Sequence, residues 1–186
     1  MKGRIKEDDS SVPQKDGDWL YWRKFEKGAQ YRQYFRKPAA GGPETRILDE
    51  NKLAKGKDYF QLSELTVSPD GKLAAYAFDD DGSERFTVRV RDLATGRNLP
   101  DVIPGTLSNI VWTADNKGLV YGLANDNWRT DKLFLHRLGD NPKAAKLLYK
   151  EPDIGFSVDV GISAQEDWIV IETGDQVTSE IRLVPA

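Results

Sequence analysis

The segment Ser68-Pro69-Asp70-Gly71-Lys72-Leu73-Ala74-Ala75-Tyr76 aligns without gaps with two later segments. One is Thr113-Ala114-Asp115-Asn116-Lys117-Gly118-Leu119-Val120-Tyr121 and the other is Ser163-Ala164-Gln165-Glu166-Asp167-Trp168-Ile169-Val170-Ile171. The spacing is 45 residues from Tyr76 to Tyr121 and 50 from Tyr121 to Ile171. A period of roughly 40–50 residues holding several short strands is the signature of β-propeller blades. The repeat therefore predicts an all-β chain, a β-propeller fragment of about three and a half four-stranded antiparallel blades. The blades are expected at about residues 13–50, 60–104, 107–150 and 155–186. A propeller closes with at least about four blades, so the sequence reads as part of something larger.

Strand signals fill this frame. In the first unit, Pro13 to Gly17 reads as a turn-rich stretch. Trp19–Phe25 and Tyr31–Arg36 then read as paired strands, and Thr45–Leu48 as a short third strand. Asn51 to Tyr59 is a polar bridge with a helical turn around Leu53 and Ala54. In the second unit the expected strands are Leu62–Val67, Lys72–Phe78, Arg85–Arg91 and Asn98–Ile103. Ser68-Pro69-Asp70-Gly71 is a strong turn signal, because proline presets φ at the second position and glycine accepts positive φ. Residues 73–78 are apolar on both faces, as in a strand covered from both sides. Residues 86–91 alternate instead, which places that strand where polar groups reach water. Pro100 and Pro104 suit an edge. The third unit is expected to use Asn109–Trp112, Gly118–Ala124, Lys132–Leu138 and Ala145–Tyr149. The last uses Phe156–Ile162, Asp167–Glu172 and Ser179–Val184.

Composition narrows the function classes. The net charge is −3 with both signs interspersed, which gives no basic stripe for nucleic acid. No apolar run approaches the roughly 20 residues of a membrane-spanning helix. The charged first ten or so residues read as a helix tail or flexible lead, without the apolar centre of a signal peptide. Cysteine is absent, which excludes disulfides and Cys-ligated metals and leaves the compartment open.

Few residues carry chemistry. No Gly-x-Ser-x-Gly elbow occurs. The single histidine, His136, reads as a strand residue in an outer blade position rather than a general base, since no serine and carboxylate stand at triad spacing. Asp79-Asp80-Asp81-Gly82-Ser83-Glu84 superficially resembles a calcium loop, but ligand loops alternate ligands with spacers. A polar hairpin loop like Asn125-Asp126-Asn127 one repeat later accounts for both. Arg and aromatic residues interleave in Tyr31-Arg32-Gln33-Tyr34-Phe35-Arg36, a pattern that could stack bases but that is ordinary for a blade strand. Arg129 reads as a solvated surface residue. The sequence thus assigns no catalytic, cofactor-binding or metal-binding residue.

An ordered series of motifs now gives a likeness. It begins with Asp8-Asp9-Ser10-Ser11-Val12-Pro13, Gly17-Asp18-Trp19-Leu20-Tyr21-Trp22 and Ile47-Leu48-Asp49-Glu50-Asn51. It continues with Val67-Ser68-Pro69-Asp70, Leu73-Ala74-Ala75-Tyr76, Arg91-Asp92-Leu93-Ala94-Thr95-Gly96 and Val111-Trp112-Thr113-Ala114-Asp115. In order and spacing this resembles the first propeller blades of the prolyl oligopeptidase family, oligopeptidase B-like members above all. The resemblance implies a parent serine peptidase in which a seven-bladed propeller caps an α/β-hydrolase domain and admits only short peptides to a Ser-Asp-His triad. Oligopeptidase B members cut after Lys or Arg, and close relatives after Pro. No triad residue can be carried onto any position here, so the chain by itself is expected to be inactive.

Two readings follow. In the first, the chain is the substrate-gating propeller fragment of a cytoplasmic serine oligopeptidase, with the periplasm open to a longer N-terminus. Its partners are then the remaining blades, the hydrolase domain and, in the parent, short peptides. In the second, it is a stand-alone propeller-like scaffold that oligomerises to complete a ring. Both carry an expectation of self-association, because an open arc leaves blade faces and a strand edge uncovered.

Overall fold

The structure is a computed structural model that describes residues 9–186; the expectation for the N-terminal lead falls largely outside that range. Among the described residues, strand accounts for 55% and helix for 4%. The chain divides into two compact units, one ending at Phe60 and one running from Gln61 to Ala186.

The first unit is a four-stranded antiparallel sheet in sequence order: β1 (Gln14–Asp16), β2 (Trp19–Phe25), β3 (Arg32–Pro38) and β4 (Thr45–Asp49). The short strand β1 lies in the stretch read as a turn. All three of its residues are exposed, so no apolar alternation marks it. It pairs because Gly17, at φ +51°, closes a two-residue hairpin that sets Asp16 opposite Trp19. The one-turn helix α1 (Glu50–Leu53) follows, and the Asp49 carboxylate caps its first amides.

The second unit begins with β5 (Gln61–Val67), β6 (Leu73–Asp79), β7 (Phe86–Asp92) and β8 (Asn98–Trp112). β9 (Gly118–Ala124), β10 (Thr130–Arg137) and β11 (Lys146–Lys150) continue the same seven-stranded sheet. β12 (Ser157–Ile162), β13 (Trp168–Gly174) and β14 (Ser179–Pro185) form a separate three-stranded sheet. The expected break between Ile103 and Asn109 is bridged: β8 is continuous, pairing through its first half with β7 and through its second with β9. Pro104 and Gly105 sit where the register shifts. A proline there costs no ladder bond, and Gly105 takes φ +80°.

The repeat is exact in register. Leu65 faces Tyr76, Ile110 faces Tyr121, and Val160 faces Ile171. The turns repeat too: Gly71, Asn116 and Glu166 all adopt positive φ, and each donates its N–H to the carbonyl of Ser68, Thr113 or Ser163. The third repeat carries its acid two positions later. The Ser68 and Thr113 hydroxyls bond Asp70 and Asp115, whereas the Ser163 hydroxyl bonds Asp167.

Burial explains the two-sided apolar strands. Ala75, Ala77, Val88, Val90 and Ile103 pack with Ile110, Trp112, Leu119 and Tyr121. The opposite side of the third blade, through Val111, Val120 and Leu133, packs on Val158, Val160, Ile169 and Ile171. The blade built from the second half of β8, β9 and β10 is thus covered on both faces, by the blade before it and by the blade after it.

Candidate functional site

The residues singled out by sequence are occupied with structural work. His136, on β10, is fully buried, and its Nε2 lies 2.7 Å from the Asp101 carboxylate on β8. Asp101 also accepts the Gly139 N–H. The other ring nitrogen, Nδ1, is buried with no hydrogen-bond partner among the described residues, so no hydroxyl nucleophile is engaged. This pair ties the outer end of one repeat to the next.

Asp79 spends its carboxylate on the backbone N–H groups of Asp81, Gly82 and Glu84. Asn125, one repeat later, accepts from the N–H groups of Asn127 and Arg129. Both are Asx-type loops, built by a side chain that satisfies its own turn. Arg129 is exposed but pinned, donating to the carbonyls of Ile154 and Gly155. In the first unit the cations stack on the chain's own rings: Arg36 over Trp19, Lys24 over Phe35 and Arg32 over Phe25.

A different group converges on the first strands of the repeats. β5, the second half of β8, and β12 run side by side. The position three before the end of each strand is polar: Glu64, Asn109 and Asp159. The Glu64 carboxylate accepts the Ile110 N–H at 2.9 Å. Asn109 donates to both oxygens of Asp159 at 3.4 and 3.3 Å. Burial pushes the Glu64 carboxyl up to about 7, against the Ile110 N–H bond and with a further push from the Asp159 charge. Beyond these groups, Val67, Trp112 and Ile162 line a small cleft with Pro69 and Glu166 at its turn end.

Sequence reading did not single out this strip. The signal was present, since extending the gap-free repeat four residues upstream of Ser68 aligns Glu64, Asn109 and Asp159 at the same offsets of 45 and 50. Single carboxylates on strands carry no motif, and their proximity depends on how neighbouring blades pack.

Repeated antiparallel blades, first strands set side by side and lined by polar groups, define a propeller-type domain. The family described as "Prolyl oligopeptidase, N-terminal beta-propeller domain" matches residues 1–186, and the chain belongs to it. Dipeptidyl aminopeptidase BI of Pseudoxanthomonas mexicana is 34% identical over 98% of the chain and 28% of its own length. Protease 2 of Moraxella lacunata is 28% identical over 99% of the chain and 28% of its own length. Among solved structures, oligopeptidase B from Leishmania major superimposes with a TM-score of 0.93 at 28% identity, covering 97% of this chain and 26% of that one. The chain thus spans a little over a quarter of the length of these relatives.

Proposed function

We propose that this chain is the substrate-gating part of a serine oligopeptidase that hydrolyses short peptides after Lys, Arg or Pro. In this reading the chain performs no bond cleavage. Its blades form part of the wall past which a peptide must travel to a triad carried elsewhere in the parent. The observation that carries the reading is the family match across the whole chain. The geometry is compatible with a passive role: His136 is locked to Asp101 inside a seam. The Asp79 carboxylate likewise serves backbone amides.

A chimera tests the proposal. Residues 1–186 replace the equivalent segment of Protease 2 of Moraxella lacunata. The expected product cleaves short Arg-, Lys- or Pro-linked fluorogenic peptides and leaves an unfolded protein such as casein intact. A folded chimera that degrades the large substrate would remove the gating role. The isolated chain is expected to show no turnover, and turnover lost on a single Ser→Ala change within it would overturn the division of labour.

A further inference from the structure

We propose that Glu64 is a proton-operated latch on the seam between the inner strands β5 and β8. These two strands are not ladder partners, since β6 and β7 separate them in sheet order. Side chains join them instead. Glu64 accepts the Ile110 N–H, the Trp112 indole donates to the Thr66 carbonyl at 3.4 Å, and Asn116 accepts the Asp70 N–H at 2.8 Å in the adjoining turns. Of these three bonds, the one made by Glu64 has a titratable group in the bond itself.

The surroundings fix the direction of the switch. Across β6, Glu64 stands opposite Ala77. On β8 it meets Ile110, next to the uncharged Asn109. From β12 comes Asp159, the charged group acting on it. A neutral Glu64 keeps a carbonyl acceptor for the Ile110 N–H and sheds both the burial cost of the anion and its repulsion with Asp159. An ionised Glu64 bears both, and its stronger bond to the Ile110 N–H offsets them only in part. The carboxyl titrates at about 7 in the folded seam against 4.5 as its ordinary value. The folded seam therefore binds the proton more tightly than the open one. Its stability is fully present below the ordinary value, falls as pH rises between the two, and levels off above about 7. The latch is closed in mild acid and loosened at neutral and alkaline pH. None of this depends on the peptidase reading.

The experiment is hydrogen exchange at the Ile110 amide from about pH 5.5 to about pH 8, corrected for intrinsic exchange, in the full chain and in Glu64→Gln. The wild-type protection factor is expected to fall roughly thirtyfold over this range, since about 1.5 pH units of it lie below the midpoint of about 7. In the glutamine variant, which keeps the acceptor and cannot ionise, it is expected to stay flat. Parallel profiles in the two proteins would overturn the latch. Carbon NMR titration of the Glu64 carboxyl gives a second readout that needs no change at that position. A midpoint far above the carboxylate range, lowered by Asp159→Asn, supports the proposal. A midpoint near the ordinary value overturns it, whether or not Glu64→Gln folds.

Discussion

Tyr76 faces Leu65 across the β5–β6 ladder and Tyr121 faces Ile110 across the β8–β9 ladder, so the two rings hold the same register one repeat apart. They are 1% and 2% exposed. Tyr76 stacks on Phe78 and accepts from the Asn98 amide, and Tyr121 stacks on Phe134. Truncating either to alanine should cost about 3–5 kcal/mol in denaturant unfolding, the usual range for a large aromatic removed from a packed core. An unchanged midpoint in both variants would mean the register is not the one described. The turn acids offer a subtler test. The Thr113 hydroxyl, helped by the Lys117 N–H and by Arg137, holds the Asp115 carboxyl down at about 2. A depressed carboxylate adds stability above its ordinary value of 3.8, and that stability is lost as pH falls towards 2. Thr113→Val should raise the Asp115 titration midpoint towards the ordinary value, as read by carbon NMR, and should flatten the acid limb of the stability profile. The buried tyrosines were legible because they stand inside a gap-free repeat. His136 was legible as a strand residue, but its bond to Asp101 was not, since 35 residues separate the partners and only the packing of one repeat on the next brings them together.

At the scale of the element, the hairpin turns show how one geometry tolerates three sequences. Gly71, Asn116 and Glu166 occupy the same positive-φ position. Glycine does so freely and asparagine with modest cost, while a glutamate there carries a penalty of about 1–2 kcal/mol. Glu166→Gly is therefore expected to raise the unfolding midpoint. Asn116→Gly is expected not to, because its side chain accepts the Asp70 N–H of the preceding repeat. If the two variants shift stability alike, backbone strain is not what distinguishes these turns. Most strands were legible for the same reason as the turns, with apolar runs bounded by Gly, Pro and Asp. Two were misread, each for a physical cause. β1 has no buried side chain to pattern, and its existence depends on the Gly17 hairpin and the partner β2. β8 contains two prolines and a glycine that normally punctuate a chain. Its register shifts absorb Pro104 and Gly105 while pairing resumes on a different partner. Local residue preferences cannot reveal that a strand changes neighbours along its length.

At the scale of the molecule, the repeat length indicated blades and the two-sided apolar strand at residues 73–78 indicated that they stack, because a sheet that is apolar on both faces must be covered on both. The polar strip of Glu64, Asn109 and Asp159 was out of reach, since it depends on which strands of successive repeats become neighbours. The same sandwich logic makes a prediction about the polypeptide of these 186 residues. The β12–β14 sheet buries Val158, Val160, Ile169 and Ile171 against the preceding repeat. On its other face Trp168 is 40% exposed, Ile181 61% and Leu183 56%, with Leu183 opposite Val170 in the β13–β14 ladder. β14 is also an edge of its sheet. An apolar sheet face beside an open edge favours association with another chain. Light scattering over a dilution series should show mass rising with concentration. Replacing Ile181 and Leu183 together by glutamate should hold the chain monomeric at concentrations where the wild type associates, because charge on that face and edge opposes a second sheet. The fold should survive, since both side chains already lie in water. A wild-type chain that stays monomeric and unfolds cooperatively at high concentration would show that this face needs no cover, which would weaken the reading of the chain as one arc of a larger ring.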